Sequence, residues 1–186
     1  MALTEARRLF NVDEYYRMAD AGILTEDDRV ELIEGEIIEM SPIGDRDAAC
    51  VDRLTKLLVG RVQDAAIVRV QNPIRLSALI GPQPDLALLR PRDDFYSSGH
   101  PRPEGVFLIV EVAETSLNYD RTLELPLYAR AGIPEAWLVD LPGGEIWTYS
   151  QPESGAYRMV NRLGRAGSIT SGTIPGLTLD AGEIFG

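Results

Sequence analysis

Apolar residues recur along the chain with two periods, and the switches between them predict the elements. Residues 12–21 read as a short helix, with Asn11 as its cap, Tyr15, Tyr16 and Ala19 as its apolar stripe, and Gly22 as its stop. Residues 30–34 and 36–40 flank Gly35 as a hairpin. Residues 47–59 form the clearest amphipathic helix. Cys50, Val51, Leu54, Leu57 and Leu58 make its stripe, which leaves Arg53 and Lys56 in solvent. Strands are expected at 67–70 and 74–76 around Pro73, at 86–89 and at 106–112. The last is a continuous apolar run, as a central strand buried on both faces requires. Residues 123–131 read as a helix capped by Gly132, with Pro126 in its first turn. Residues 136–139 and 146–149 read as a strand pair around a turn at 142–144, and the tail from Tyr157 as short strands and turns. The polar loop at 91–103, which holds His100, is the candidate mobile segment beside a site. No repeat or linker interrupts this order. The expectation is one domain over residues 1–186, of the α/β (α+β) class, with a mixed sheet flanked by helices and preceded by a helix and a hairpin.

Composition narrows the class. With 186 residues, 45% hydrophobic and 25% charged, the chain has enough apolar material for a sizeable core and is not disordered in character. No apolar run approaches the roughly 18 residues of a membrane span, and the first eight residues lack the pattern of a secretory signal. A cytoplasmic protein is expected. Cys50 is the only cysteine, which excludes an intrachain disulfide and a multi-cysteine zinc site. The net charge of −11 argues against a general nucleic-acid coat protein. It does not argue against a metal-dependent enzyme, whose site concentrates carboxylates. Almost all the positive charge is arginine, and Lys56 is the only lysine.

Two acids are awkward for a purely structural reading. Asp85 follows Pro84 at the start of a strand, and Glu111 sits inside the apolar run at 106–112. A carboxylate in such a run is costly to bury unless a metal, a positive partner or several donors meet it. Two adjacent strands carrying one carboxylate each can hold a hard divalent cation. The alternative is that Glu111 faces a solvated groove and Asp85 caps a turn. His100, the only histidine, gives little support for a Ser-His-Asp triad, and no phosphate-binding glycine loop is present. Trp137 and Trp147 read as core or dimer contacts, and Thr115 and Ser116 as phosphate contacts or turn caps.

Four blocks in order carry a resemblance: ELIEGEIIEMSP at 31–42, QPDLALLR at 83–90, VEVAETS at 110–116 and LPLYARAGIPEAWLVD at 125–140. Together they resemble the Uma-type family of putative restriction endonucleases, within the PD-(D/E)XK nuclease superfamily, from about residue 12 to the C-terminus. The resemblance implies a restriction-endonuclease-like mixed sheet with a metal site at the sheet's edge. It implies Asp85 and Glu111 as ligands of Mg²⁺ or Mn²⁺, the backbone carbonyl of Val112 as a third, and DNA as the substrate. The chain also departs from the pattern. The motif lysine would fall at Ala113; the family's alternative lysine, from the following helix, falls at Glu124, and a usual histidine falls at Asp47. Both acids also have structural readings, Asp47 as a helix cap and Glu124 as a favourable charge near a helix N-terminus. Arg121 is the candidate replacement for the missing positive charge, and Glu31 a further acid candidate that otherwise reads as an exposed strand residue.

Three functions follow as expectations. The first is a metal-dependent DNA endonuclease using Asp85, Glu111, Glu124, Asp47 and Glu31. The second is a catalytically impaired nuclease-fold protein with a binding or regulatory role. The third is a structural oligomer whose acids are surface features. A homodimer is expected, from the apolar C-terminal strands and aromatics.

Overall fold

The computed structural model describes residues 7–25 and 27–186; most of the N-terminal octet read above as unlike a signal lies outside them. Helix α1 (Val12–Asp20) opens the fold. Asn11 and Glu14 form a reciprocal capping box, and Val12 and Tyr15 are its buried residues. Ala19, expected in the stripe, is exposed. Strands β1 (Val30–Ile33) and β2 (Glu36–Glu39) pair antiparallel around Gly35, whose φ of +82° suits the turn. A Cβ at Gly35 would meet Leu9 Cβ at 2.6 Å, so the same residue also permits close packing of the preceding segment.

The main sheet has six strands in the order β3-β4-β5-β6-β7-β8: β3 (Ile67–Val70), β4 (Leu86–Leu89), β5 (Val106–Ala113), β6 (Glu135–Asp140), β7 (Glu145–Glu153) and β8 (Ala156–Gly164). Only β5 and β6 run parallel. Their crossover is helical, with α3 (Leu117–Tyr119), a π-helical turn at Asp120–Glu124 and α4 (Leu125–Ala131). Gly132 ends α4 in the left-handed conformation and Pro126 lies in its first turn, as expected.

Each face of the sheet is covered. Helix α2 (Asp45–Val62), the small β9 (Ser168–Thr170)–β10 (Thr178–Asp180) ladder and α5 (Ala181–Phe185) pack on one face with Leu86, Leu88, Leu108, Val110 and Val112. Helix α4 packs on the other with Ala87, Leu89, Ile109 and Leu138. β5 is therefore buried on both sides, as its unbroken apolar run requires.

Several expectations change. Residues 74–76 form no strand. The Ile74, Arg75 and Leu76 N–H groups donate to Pro82, Pro101 and Ile80, so this loop satisfies its backbone irregularly while burying Ile74 and Leu76. α2 begins at Asp45 with Gly44 as its N-cap, so Asp47 is inside the helix and not its cap. Lys56 is exposed as expected, but Arg53 donates to the Ile184 and Phe185 carbonyls and anchors α5. The tail from Tyr157 begins in the nine-residue β8 and ends in a helix, not only in short strands and turns.

One buried acid ties the C-terminal segment to the sheet. Glu135, at the start of β6, accepts from Trp137 Nε1, the Ser171 and Thr173 hydroxyls, and the Gly172 and Thr173 N–H groups, at 2.8–3.1 Å. Replacing it with alanine strands all these donors. Glu135→Ala is expected to lower unfolding stability by at least about 3 kcal/mol in urea melts; a change under about 1 kcal/mol would mean the donors re-pair with water at little cost.

Candidate active site

The β4–β5 register creates the first acid pair. Leu86 lies opposite Val110, so the preceding Asp85 meets Glu111. The main chain and side chains lock reciprocally: the Asp85 N–H donates to Glu111 Oε2 at 3.1 Å, and the Val112 N–H donates to Asp85 Oδ2 at 2.9 Å. Gln71, just beyond β3, donates to Asp85 Oδ1 at 3.2 Å. From α4, the fully buried Tyr128 hydroxyl donates to Glu111 Oε1 at 2.6 Å. The pair lies at the ends of the second and third strands, at an end of the sheet and not along an edge strand.

Three further elements bring acids to the same place. The hairpin delivers Glu31, whose carboxylate accepts from Tyr119 Oη at 2.9 Å and from the Gln83 N–H at 3.3 Å. Glu31 is only 2% exposed, which excludes the exposed-strand reading. The π turn is closed by the Leu125 N–H on the Asp120 carbonyl and delivers Asp120 and Glu124 four residues apart on one face. Such turns recur at functional sites. The first turn of α2 delivers Asp47. These residues line one cleft of about 290 Å³, together with Val112, Thr115, Ser116 and Arg29.

The electrostatics are one-sided. Burial, then the Glu124, Asp85 and Asp120 charges, push Glu111 well above the usual carboxylate range. Burial raises Glu124 in the same way, reinforced by Glu31 and Asp120. Burial lifts Asp120 to about 7, although the Ser116 hydroxyl opposes the shift. Asp85, Glu31 and Asp47 are raised too, each mainly by burial. Among the described residues, none of these six acids forms an ion pair.

All the sequence-derived acids thus line one cleft, including Asp47, which does not cap α2, and Glu124, which stands at the N-terminal end of α4 as its structural reading has it but makes no capping hydrogen bond there. Arg121 does not enter. It is exposed, with its guanidinium 4.5 Å from the Trp147 ring. The 91–103 loop does not line the cleft, and His100 instead stacks on Tyr16 at 4.8 Å. Trp137 is core, as expected. Asp120, Tyr119, Tyr128 and Arg29 were not read as site residues. Asp120 and Glu124 at four-residue spacing before the LPLY block were the available signal.

The donor set suits a hard divalent cation: it is all oxygen and strongly acidic, with the six acids above against the single Arg29 on the described cleft wall. Among the described residues, no three His, Cys, Asp or Glu side chains already stand together as a metal-holding group. Among the described residues, no helix is long and apolar enough to cross a membrane.

Comparison with known proteins agrees with the fold. A solved structure from Anabaena variabilis, described as "a putative nuclease belonging to DUF820", superposes with a TM-score of 0.70 over 95% of this chain and 97% of that one, at 15% identity. No curated protein matches the chain. The family model Uma2, described as "Putative restriction endonuclease", matches residues 12–182, and the chain belongs to that family.

Proposed function

We propose that this protein is a divalent-metal-dependent nuclease that hydrolyses DNA phosphodiesters. The observation that carries the reading is the interlocked Asp85–Glu111 pair, opening on an acidic cleft in which, among the described residues, no acid is ion-paired. Asp85 and Glu111, with the Val112 carbonyl, would hold Mg²⁺ or Mn²⁺. The bound ion would supply an acidified water and neutralise phosphate charge. The chain's own contribution is orientation. Val112 and Gln71 fix the Asp85 carboxylate, and Tyr128 and the Asp85 N–H fix Glu111. Arg29 is the only basic residue on the described cleft wall and is the candidate phosphate contact. The test is nicking of supercoiled plasmid by the purified protein. Cleavage with Mg²⁺ or Mn²⁺ and none in EDTA is expected; no cleavage with either ion contradicts the reading.

A second reading is a catalytically impaired member with a binding or regulatory role. It is favoured by the absence, among the described residues, of any Lys, Arg or His ion-paired to the cleft acids. On that reading the wild type cuts little. The double variant Glu124→Lys, Asp47→His should then gain on the order of 10²-fold in nicking rate, the lower range for restoring such a group. An unchanged rate would show that these two positions are not the lesion.

A further inference from the structure

The cleft by itself repels a polyanion. Acids crowd its described wall against the single Arg29, and the whole chain carries a net charge of −11. Nucleic acid is held chiefly by cations at its phosphates, so cations beyond the cleft wall are needed. The register of the main sheet shows where a pair of them stands. Glu111 on β5 lies beside Leu138 on β6, Leu138 opposite Trp147 on β7, and Trp147 opposite Arg162 on β8. With strands about 4.8 Å apart, this row runs about 10 Å from Glu111 to Trp147 and about 14 Å to Arg162. That span matches about three to four base steps of duplex at ~3.4 Å each.

Two guanidinium groups meet at the far end of the row. Arg121 lies 4.5 Å and Arg162 5.3 Å from the Trp147 ring centroid. They arrive from different elements. The π turn sends Asp120 into the cleft and the next residue, Arg121, over the indole. Arg162 comes from β8, an edge strand. Both are exposed. Arg162 shares Glu145 at 3.4 Å, and among the described residues Arg121 has no ion pair. The Trp147 N–H is buried and, among the described residues, meets no acceptor. The patch thus carries more positive charge and more donors than its one acid can meet. One arginine would cover the ring; a second sets like charges together, which an anion between them relieves. We propose that Arg121 and Arg162, held on Trp147, form a docking surface outside the cleft for the phosphate backbone of nucleic acid. Guanidinium matches phosphate oxygens bidentately. Cation–π contact with the indole holds both groups in place, so less side-chain freedom is lost on binding. The arginines occupy the ring on which a base would stack, so the contact is with the backbone and carries no sequence information. The proposal rests on the nuclease reading for its partner, but none of its residues lines the cleft.

The experiment is fluorescence anisotropy of two labelled DNA duplexes of unrelated sequence, titrated with the full chain in EDTA at salt from about 50 to about 200 mM. Arg121→Gln and Arg162→Gln should each weaken both duplexes alike. Each should also lower the slope of log Kd against log salt by about one, the signature of one lost phosphate contact. Arg121→Lys keeps the charge and should keep the slope. Arg158→Gln is the control: Arg158 is also exposed on β8 but is ion-paired to Glu153, and its loss should leave the slope unchanged. Wild-type slopes in Arg121→Gln and Arg162→Gln, or an equal change in Arg158→Gln, would overturn the docking surface. So would a wild type that binds neither duplex. Plasmid nicking by the wild type separates this proposal from the nuclease reading. Nicking with unchanged slopes removes the surface and leaves that reading; lowered slopes without nicking leave the surface and remove that reading.

Discussion

Asp85→Asn is expected to reduce metal-dependent DNA nicking by roughly 10²- to 10³-fold, the range for losing one group that stabilises transition-state charge, while leaving the fold intact. The amide oxygen can still accept from the Val112 N–H, which Asp85 Oδ2 now does at 2.9 Å. What disappears is the negative charge that a cation needs. The same substitution removes one of several like charges in a partly buried cleft, so its melting temperature in EDTA should equal or exceed that of wild type. Activity and stability therefore move in opposite directions, which a general loss of structure cannot imitate. Nicking within a few-fold of wild type would exclude Asp85 as a metal ligand.

The second large effect is on stability against pH. In EDTA the protein should lose stability as pH rises from about 4 to about 8. The folded-state pKa of Asp120 is raised from 3.8 to about 7, so between those values the folded state binds more protons than the unfolded one. By linkage the slope of unfolding free energy with pH is negative there: the stability is fully present below the unfolded pKa and is lost as pH rises through the folded one. At about 1.4 kcal/mol per unit, Asp120 alone contributes on the order of 4 kcal/mol. Glu111, Glu124, Glu31 and Asp85 are raised as well and act in the same direction. Asp13, Glu14, Asp28 and Asp94 are lowered by their partners and act oppositely, but on the acid side of the usual carboxylate range. The Asp120 contribution alone is a sizeable part of the stability of a typical domain, about 5–15 kcal/mol. Compensation by a cation should be visible. Mn²⁺ at about 100 times its Kd should restore about 2.7 kcal/mol at pH 7.5 and little at pH 5, where protons already occupy the acids. Thermal melts at both pH values check this. Stability that rises with pH in EDTA would show that the cleft acids are compensated some other way.

The parts of the fold set by local pattern were legible in the chain. Gly35 between two apolar pairs marks the hairpin, and the continuous run at 106–112 marks the central strand, which the structure extends by one residue to Ala113. The cost of a carboxylate within that run singled out Glu111, and the neighbouring strand supplied Asp85. What stayed hidden depends on long-range docking or on a break in period. The π turn adds a residue to the helical register, so a 3.6-residue pattern passes over Asp120 and places Glu124 near a helix start. Glu31 reads as a solvent-facing strand position because nothing local shows that the hairpin lies against the loop before β4. That docking is carried by the Gly81 N–H on the Leu32 carbonyl. Tyr128 reads as ordinary helix core, since its hydroxyl partner lies on another element. Residues 74–76 have strand composition but bond irregularly to three separate partners.

The account turns on Asp85 and Glu111 holding a cation between β4 and β5. Crystals soaked in Mn²⁺ and measured at the manganese edge test this directly. An anomalous peak within ligand distance of Asp85 and Glu111 is the predicted result; a fully exchanged crystal with no peak at that pair would contradict it.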